Sequence, residues 1–500
     1  MLQNLTSGFA ELFTIQNFIF MNVGLLVGII FGAIPGLSAN IGIVLFLPFT
    51  FSLNPINAIL MLLGIYCGGT YGGSVAAILI GTPGTNAAAA TLLDGYPLAQ
   101  SGKANKALTM ALTASTIGGV ISALILLFAA PGISRFTIAF GPPEYFALGI
   151  FGLSVIASVS GNNIFKGVIS GCFGVFLAMV GLDVMSGTVR FTFGNIRLMS
   201  GLGLIPVLLG LFAIEIVLGH VYTIFNKDEL DDASQVDLSD KLEMSELKAS
   251  LPAIFKGTFI GTIIGAIPGI GTGVASFLSY NEAKRTSKHP EKFGKGAIEG
   301  VAAPEAGNNA VTGASLIPLL TLGVPGSAVA ATLLGAFMMH GLVPGPNLFK
   351  DQGTIMYAIM IGLVFINIFM FLQGKLLVKF FAKVTKVPNA LLVPILLITC
   401  IAGAFSYKNT LFYVYILLIF GALSYVIKKL GFPPVPIVLG YILGPIVEFN
   451  LRRALVMSEG SYTIFFTRPI SVAFIILTVG FMFMLTRQQK KQKKLASQNK

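Results

Sequence analysis

A glycine ladder closed by a proline break, present twice, constrains this chain more than any other feature. Gly24-Leu-Leu-Val-Gly28-Ile-Ile-Phe-Gly32-Ala-Ile-Pro35-Gly36 returns as Gly257-Thr-Phe-Ile-Gly261-Thr-Ile-Ile-Gly265-Ala-Ile-Pro268-Gly269, with Pro268 standing 233 residues after Pro35. Glycine at every fourth position leaves one face of a helix without side chains, so another helix can approach closely. Pro-Gly inside an apolar run then ends one segment and starts another, because proline lacks a backbone donor and glycine accepts unusual dihedrals. Two copies imply a duplicated membrane unit with interrupted helices. In membranes that pattern points to a binding site built on the breaks.

The chain is 55% hydrophobic and only 10% charged over 500 residues, where a soluble protein carries about 25% charged residues. The stretches Gly149 to Met185 and Gly201 to Val221 are almost free of charge, against a requirement of ~20 apolar residues to span a bilayer. About ten to twelve apolar segments are long enough to cross or nearly cross. The expected fold is therefore an all-α polytopic membrane protein.

The net charge of +12 sits in short loops and in Arg487-Gln-Gln-Lys490-Lys491-Gln-Lys493-Lys494. That distribution suits a cytoplasmic C-terminus and contact with anionic membrane lipid, and it gives no footprint for nucleic acid. Cys67, Cys172 and Cys400 are isolated and imply neither a disulfide framework nor a metal site. The N-terminus lacks a basic region and carries Glu11, so a cleaved signal is not expected. No P-loop, His-Glu-x-x-His or Gly-x-Ser-x-Gly occurs, which leaves an ATP motor or an enzyme without support.

A second pair of breaks follows the first. Gly81-Thr82-Pro83-Gly84-Thr85-Asn86 and the run to Thr91 match Gly323-Val-Pro325-Gly326-Ser327 and the run to Thr332. Thr70 and Thr312 occupy corresponding places upstream. The expected organisation is a first half over 1–225, a polar connection over 226–250, a second half with C-terminal membrane helices over 251–486, and a basic tail over 487–500. Lys103 and Lys106 follow the second break in the first half, whereas Lys284, Arg285, Lys288, Lys292 and Lys295 lie between the breaks in the second. Positive loops face the cytoplasm, so corresponding loops fall on opposite sides, as in an inverted-topology repeat. A same-orientation duplication is the alternative.

Backbone groups freed at a break cost several kcal/mol each in hydrocarbon unless something satisfies them. The breaks Pro35-Gly36, Pro83-Gly84, Pro268-Gly269 and Pro325-Gly326 should therefore face protein or a wet cavity. The half-helices they open present N–H groups and a positive dipole end to an anion. Ser38, Asn40, Thr82, Thr85, Asn86, Gly271, Thr272 and Ser327 stand at those openings, where they could contact a carboxylate or merely cap their own helices. In Ala303-Pro304-Glu305-Ala306-Gly307-Asn308-Asn309, a carboxylate and two amides in apolar sequence default to function. Glu305 is the candidate for a coupling ion, with Thr70 and Thr312. Asn308 and Asn309 are candidates for substrate. A solvated helix start is the alternative for Glu305. Asp94, in Asp94-Gly-Tyr-Pro97, reads first as a turn residue, and Glu144, Arg190, Arg197, Glu215 and Glu448 as interfacial or packing charges.

These stretches, together with Tyr66-Cys-Gly-Gly-Thr-Tyr71-Gly-Gly-Ser74, Asp94-Gly-Tyr-Pro97 and Leu322-Gly-Val-Pro-Gly326, resemble the large membrane subunit of the tripartite tricarboxylate transporters, the TctA-type permeases. The resemblance runs from about residue 20 to residue 345. It implies a small four-helix membrane partner, an extracytoplasmic solute-binding protein delivering a small carboxylate, and uptake across a bacterial inner membrane driven by Na⁺ or H⁺. No cofactor beyond that ion is expected. Gly81 and Asn86 depart from the family pattern, where asparagine and proline are frequent, which bears on ligand preference. An uncoupled channel or exporter of organic anions is the runner-up.

Overall fold

The computed structural model describes residues 2–137, 140–154, 156, 163–183, 185–225, 239–345, 347–385 and 387–498. It is helical nearly throughout, with one two-stranded hairpin among the described residues. Nine of the described helices are long and apolar enough to cross a membrane, and four shorter apolar helices accompany them, so this is a multi-pass membrane protein. The stretch 149–185 is not a single span. Its described parts are the end of the helix Pro142–Ser154, the helix Ile164–Ala178 and the start of the hairpin.

Two compact units are present, each assembled from both ends of the chain: residues 1–135 with 216–403, and 136–215 with 404–500. The first unit holds both repeats. Their helices are α1 (Ile15–Ala33), α2 (Ala39–Phe46), α3 (Pro55–Ile80), α4 (Ala88–Gln100) and α5 (Ala104–Thr137), then α6 (Met244–Ala266), α7 (Gly271–Thr286), α8 (Glu299–Ala314), α9 (Leu316–Leu322) and α10 (Ala328–Met339).

The ladders do what their spacing implies. A Cβ at Gly24, Gly28 or Gly32 of α1 would come within 2.1, 2.5 or 2.3 Å of the carbonyl oxygens of Met61, Ile65 and Gly69 on α3. In the second repeat, Gly257 and Gly261 of α6 meet the carbonyls of Ala303 and Gly307 on α8 at 2.4 and 2.1 Å by the same measure. No side chain fits there, so the backbones touch and Cα–H groups face carbonyls.

The breaks are also where the sequence puts them. Gly36 (φ 84°) and Gly269 (φ 86°) turn the chain after α1 and α6, and Gly81 (φ 68°) and Gly323 (φ 71°) after α3 and α9. Corresponding glycines share one left-handed conformation, which L-residues with a Cβ resist. Of the polar connection, residues 226–238 lie outside the described residues. The remainder serves to cap helices. Asp240 accepts the N–H groups of Asn105 (3.1 Å) and Lys106 (2.8 Å) at the start of α5, and Glu243 opens α6 with a capping box to Glu246.

In the second unit, the charges read as packing residues form ion pairs. Lys428 meets Glu215 at 2.6 Å, Arg468 meets Glu144 at 2.7 Å, and Arg190 meets Glu448 at 2.7 Å. Arg197 lies over the ring of Phe412.

Candidate functional site

The four breaks form a closed ring within the first unit. Within the first repeat, a Cβ at Gly84 would stand 2.2 Å from the Gly32 carbonyl, and the Gly84 N–H donates to the Gly73 carbonyl at 3.2 Å. The second repeat closes likewise, the Gly269 N–H donating to the Gly326 carbonyl at 3.0 Å. Two further links join the repeats. The Ser276 hydroxyl of α7 donates to the Ala87 carbonyl before α4 at 2.8 Å, with Gly273 against Asn86. The Thr332 hydroxyl of α10 donates to Asn40 Oδ1 of α2 at 2.7 Å. Each break is thus linked to two others through residues in or shortly after it, while Gly36, Pro83 and Asn86 stay exposed.

The residues at the openings divide by role. Ser327 accepts from the Ala330 N–H at 3.1 Å and Thr85 from the Ala88 N–H at 3.3 Å, so both cap their own helices. Ser38 is the N-cap residue of α2 without a side-chain cap bond. Asn40 is committed to Thr332, Gly271 (φ 80°) and Thr272 form the first turn of α7, and Thr82, Pro83 and Asn86 lie in the connection before α4. Pro35, Pro268 and Pro325 sit in the matching connections.

Beside this ring, α8 carries Glu305, Asn308 and Asn309, all with 0% exposure. Burial at that level removes the reading of Glu305 as a solvated helix start. Its carboxylate gathers three hydroxyls from three helices. Ser74 of α3 donates to Oε1 at 2.5 Å, Thr91 of α4 donates to the same oxygen, and Ser115 of α5 donates to Oε2 at 2.9 Å. Asn309 Nδ2 donates to Ser115 Oγ at 2.8 Å. Glu305 takes part in no ion pair among the described residues. Its side-chain partners are neutral hydroxyls alone.

Asn308 Oδ1 and Nδ2 and Asn309 Oδ1 are buried without hydrogen-bond partners. Each such group costs about 1–3 kcal/mol if nothing occupies it, so the site is polar beyond what its own protein bonds explain. Asn308 lies one turn beyond both Pro304 and Glu305. The Pro304 carbonyl receives the Ser276 hydroxyl of α7 at 3.4 Å, while Glu305 faces α3. Thr70 and Thr312 instead turn back on their own helices, donating to the Tyr66 carbonyl at 2.8 Å and the Asn309 carbonyl at 2.7 Å.

Asp94 is not a turn residue. It sits in α4 with 0% exposure, and its Oδ1 accepts the N–H groups of Gly294 (2.8 Å), Lys295 (3.1 Å), Gly296 (2.8 Å) and Ala297 (2.8 Å). Its Oδ2 accepts the Tyr280 hydroxyl at 2.8 Å. A carboxylate of the first repeat thus clamps the approach to α8 in the second. The sequence reading also passed over Ser74, Thr91 and Ser115. Ser74 follows Thr70 by one helical turn and Thr91 ends the duplicated run, so both lay within reach. Ser115 gives no local signal.

The sequence profile of the tripartite tricarboxylate transporter TctA family matches residues 18–439. The chain is 36% identical over 482 residues to the "uncharacterized 52.8 kDa protein in TAR-I ttuC' 3'region" of Agrobacterium vitis, covering 96% of this chain and 95% of that one. It is also 40% identical over 205 residues to the "uncharacterized protein in TAR-II ttuC' 3'region" of the same organism, covering 41% of this chain and 85% of that one. With the duplicated breaks, the packed ladders and a match over most of its length, this chain belongs to the tripartite tricarboxylate transporter TctA family.

Proposed function

We propose that the protein is the permease subunit of an ion-coupled importer of small di- or tricarboxylates, working by alternating access in a bacterial inner membrane with its C-terminus in the cytoplasm. A small membrane subunit and an extracytoplasmic solute-binding protein complete the system, and the two repeats are inverted in the membrane. The observation that carries the reading is the buried Glu305 carboxylate, bonded by Ser74, Thr91 and Ser115 without a cationic partner, on the same helix as the unpartnered amide of Asn308 and the unpartnered Oδ1 of Asn309.

The half-helices opened by the breaks receive the substrate's carboxylates, because their first N–H groups and positive dipole ends favour anions. Asn308 supplies a free donor and a free acceptor on the helix that carries Glu305. A proton or Na⁺ at Glu305 neutralises its charge, which lowers the cost of moving that carboxylate between environments. Ion and substrate occupy adjoining groups on α8, so filling one favours the arrangement that holds the other.

The test is uptake of labelled di- and tricarboxylates into vesicles containing the chain with its small membrane partner, the binding protein being added outside. A Na⁺ gradient, a proton gradient or neither is imposed. Accumulation under one gradient, abolished by Glu305→Gln and by Asn308→Ala, is the expected result. Flux without any gradient or binding protein would replace this reading with a channel or exporter. Gradient-driven accumulation that survives Glu305→Gln would remove Glu305 from the coupling.

A further inference from the structure

The second unit carries a surface that transport of carboxylates does not explain. The strands Gly181–Leu182 and Val189–Arg190 pair as an antiparallel hairpin, and the loop behind it, 191–203, leads to the helix that begins at Leu204. Four charges fasten the hairpin to the helix Pro434–Met457. Asp183 meets Arg452 at 2.7 Å, Arg190 meets Glu448 at 2.7 Å, and Arg452 closes the square with Glu448 at 3.0 Å. The charges are therefore spent inward.

Much of what is turned outward is apolar, among exposed Ser186, Thr188, Asn195 and Arg197. Phe193 is 91% exposed and Ile196 80% exposed, with Leu182, Met185, Val189 and Phe191 also exposed. Phe191 and Phe193 hold left-handed backbone, at φ 52° and 49°. That conformation is a genuine outlier for a bulky side chain, and such outliers persist where the surroundings over-determine them, often for function. Here the result is a loop that displays two phenylalanines.

The position of the hairpin follows from the unit's own helices. The helices Pro434–Met457 and Pro469–Gln498 are joined by residues 458–468, too few to recross a bilayer as helix. Met457 and Pro469 hence lie on one side, opposite the basic tail. The hairpin is bound to the last three turns of Pro434–Met457. At the other end, Lys166 of the helix Ile164–Ala178 donates to the Leu430 carbonyl beside Lys428 and Lys429, which puts these lysines at the end of the unit that the tail leaves from.

We propose that the hairpin and its loop are an interfacial anchor, with Phe193 and Ile196 seated among the lipids of the leaflet facing away from the basic tail. Lipid is the occupant because the surface is continuous with the exposed apolar face of a short apolar helix. Phe176, on the helix Ile164–Ala178, packs on Phe191 with ring centroids 5.0 Å apart, and that helix exposes Phe165 and Ile169 along its length. Hairpin pairing satisfies backbone groups near the interface, which an unpaired loop would leave open. Arg197, next to Ile196 and in no ion pair among the described residues, is placed to meet a headgroup phosphate.

The chain contains no tryptophan, so Phe193→Trp gives a single reporter. The full chain is reconstituted in phosphatidylcholine–phosphatidylglycerol vesicles with or without brominated acyl chains. Loss of most of the tryptophan emission in brominated lipid, with little quenching by aqueous iodide, is the expected result. Ile196→Trp is the second reporter in case the first does not fold, and it should behave alike. Quenching by iodide but not by bromolipid would overturn the proposal and return the loop to water. Protection from both quenchers would also overturn it, by showing that protein covers the surface.

Discussion

Removing the Asp94 carboxylate separates the turn reading of that residue from the clamp the structure displays. Asp94→Ala deletes an acceptor of four backbone N–H groups and one hydroxyl, from Gly294, Lys295, Gly296, Ala297 and Tyr280. A hydrogen bond to a charged group contributes about 1.5–3 kcal/mol net. Four donors share one oxygen here, and three of those amides are only partly buried, so about 1 kcal/mol per bond is the fitting figure. The expected loss is about 4–6 kcal/mol, against about 1 kcal/mol for an ordinary side chain–backbone bond in a turn. In thermal unfolding that is a drop on the order of 10 °C. The assay is reaction of a thiol-sensitive dye with the buried Cys67 and Cys400 in purified protein. Asp94→Asn keeps one acceptor oxygen without the charge and should fall between wild type and Asp94→Ala. Tyr280→Phe loses one bond and should cost least. An Asp94→Ala protein that unfolds at the wild-type temperature would refute the reasoning.

The ladder and the hairpin give two further tests. Gly261→Ala forces a methyl group to within 2.1 Å of the Gly307 carbonyl, so it should destabilise by about 1–3 kcal/mol or more through overpacking. Gly480→Ala, where a Cβ meets nothing within 4 Å, should be neutral or stabilising in the same unfolding assay, and equal effects at both sites would sink the packing account. The Asp183 carboxyl is held well below the usual carboxylate range, first by the Ser186 hydroxyl and then by Arg452. Because its folded pKa is depressed, its contribution is fully present above the unfolded value of about 3.9 and is lost as pH falls through the folded value. A tryptophan at position 193 should hence keep its lipid protection from neutral pH to about 5 and become accessible to iodide only in stronger acid. Exposure beginning near neutrality would show that another group holds the hairpin.

The parts of the fold that were legible from sequence are those the backbone itself dictates. A ladder of glycines states that two helices touch, and Pro-Gly in an apolar run states that the helix stops. Both statements need only local chemistry. The matching φ angles of Gly36 with Gly269, and of Gly81 with Gly323, show why duplication was visible. The constraint falls on residues with no substitute. The division into compact units was not legible. It depends on which distant helices pack together, and apolar surfaces of membrane helices look alike in composition.

The candidate site was legible in its anchor and hidden in its shell, for one physical reason. Glu305, Asn308 and Asn309 stand out because a carboxylate and amides are costly in an apolar stretch. Ser74, Thr91 and Ser115 do not, because a hydroxyl can satisfy itself on its own helix, as Thr70 and Thr312 do. Only the approach of three helices to one carboxylate turns those hydroxyls outward. Asp94 was misread by the same logic run backwards. Asp-Gly-Tyr-Pro is turn chemistry by composition, yet the chain continues as helix through Pro97, and five donors from the second repeat converge on Asp94. The two links that join the breaks of different repeats are accordingly unequal. One carries that charged clamp next to the Ser276 bond, and the other a neutral bond between Thr332 and Asn40. Duplication preserved the breaks, while the side chains that tie them together diverged, so a symmetric backbone supports links of unequal strength.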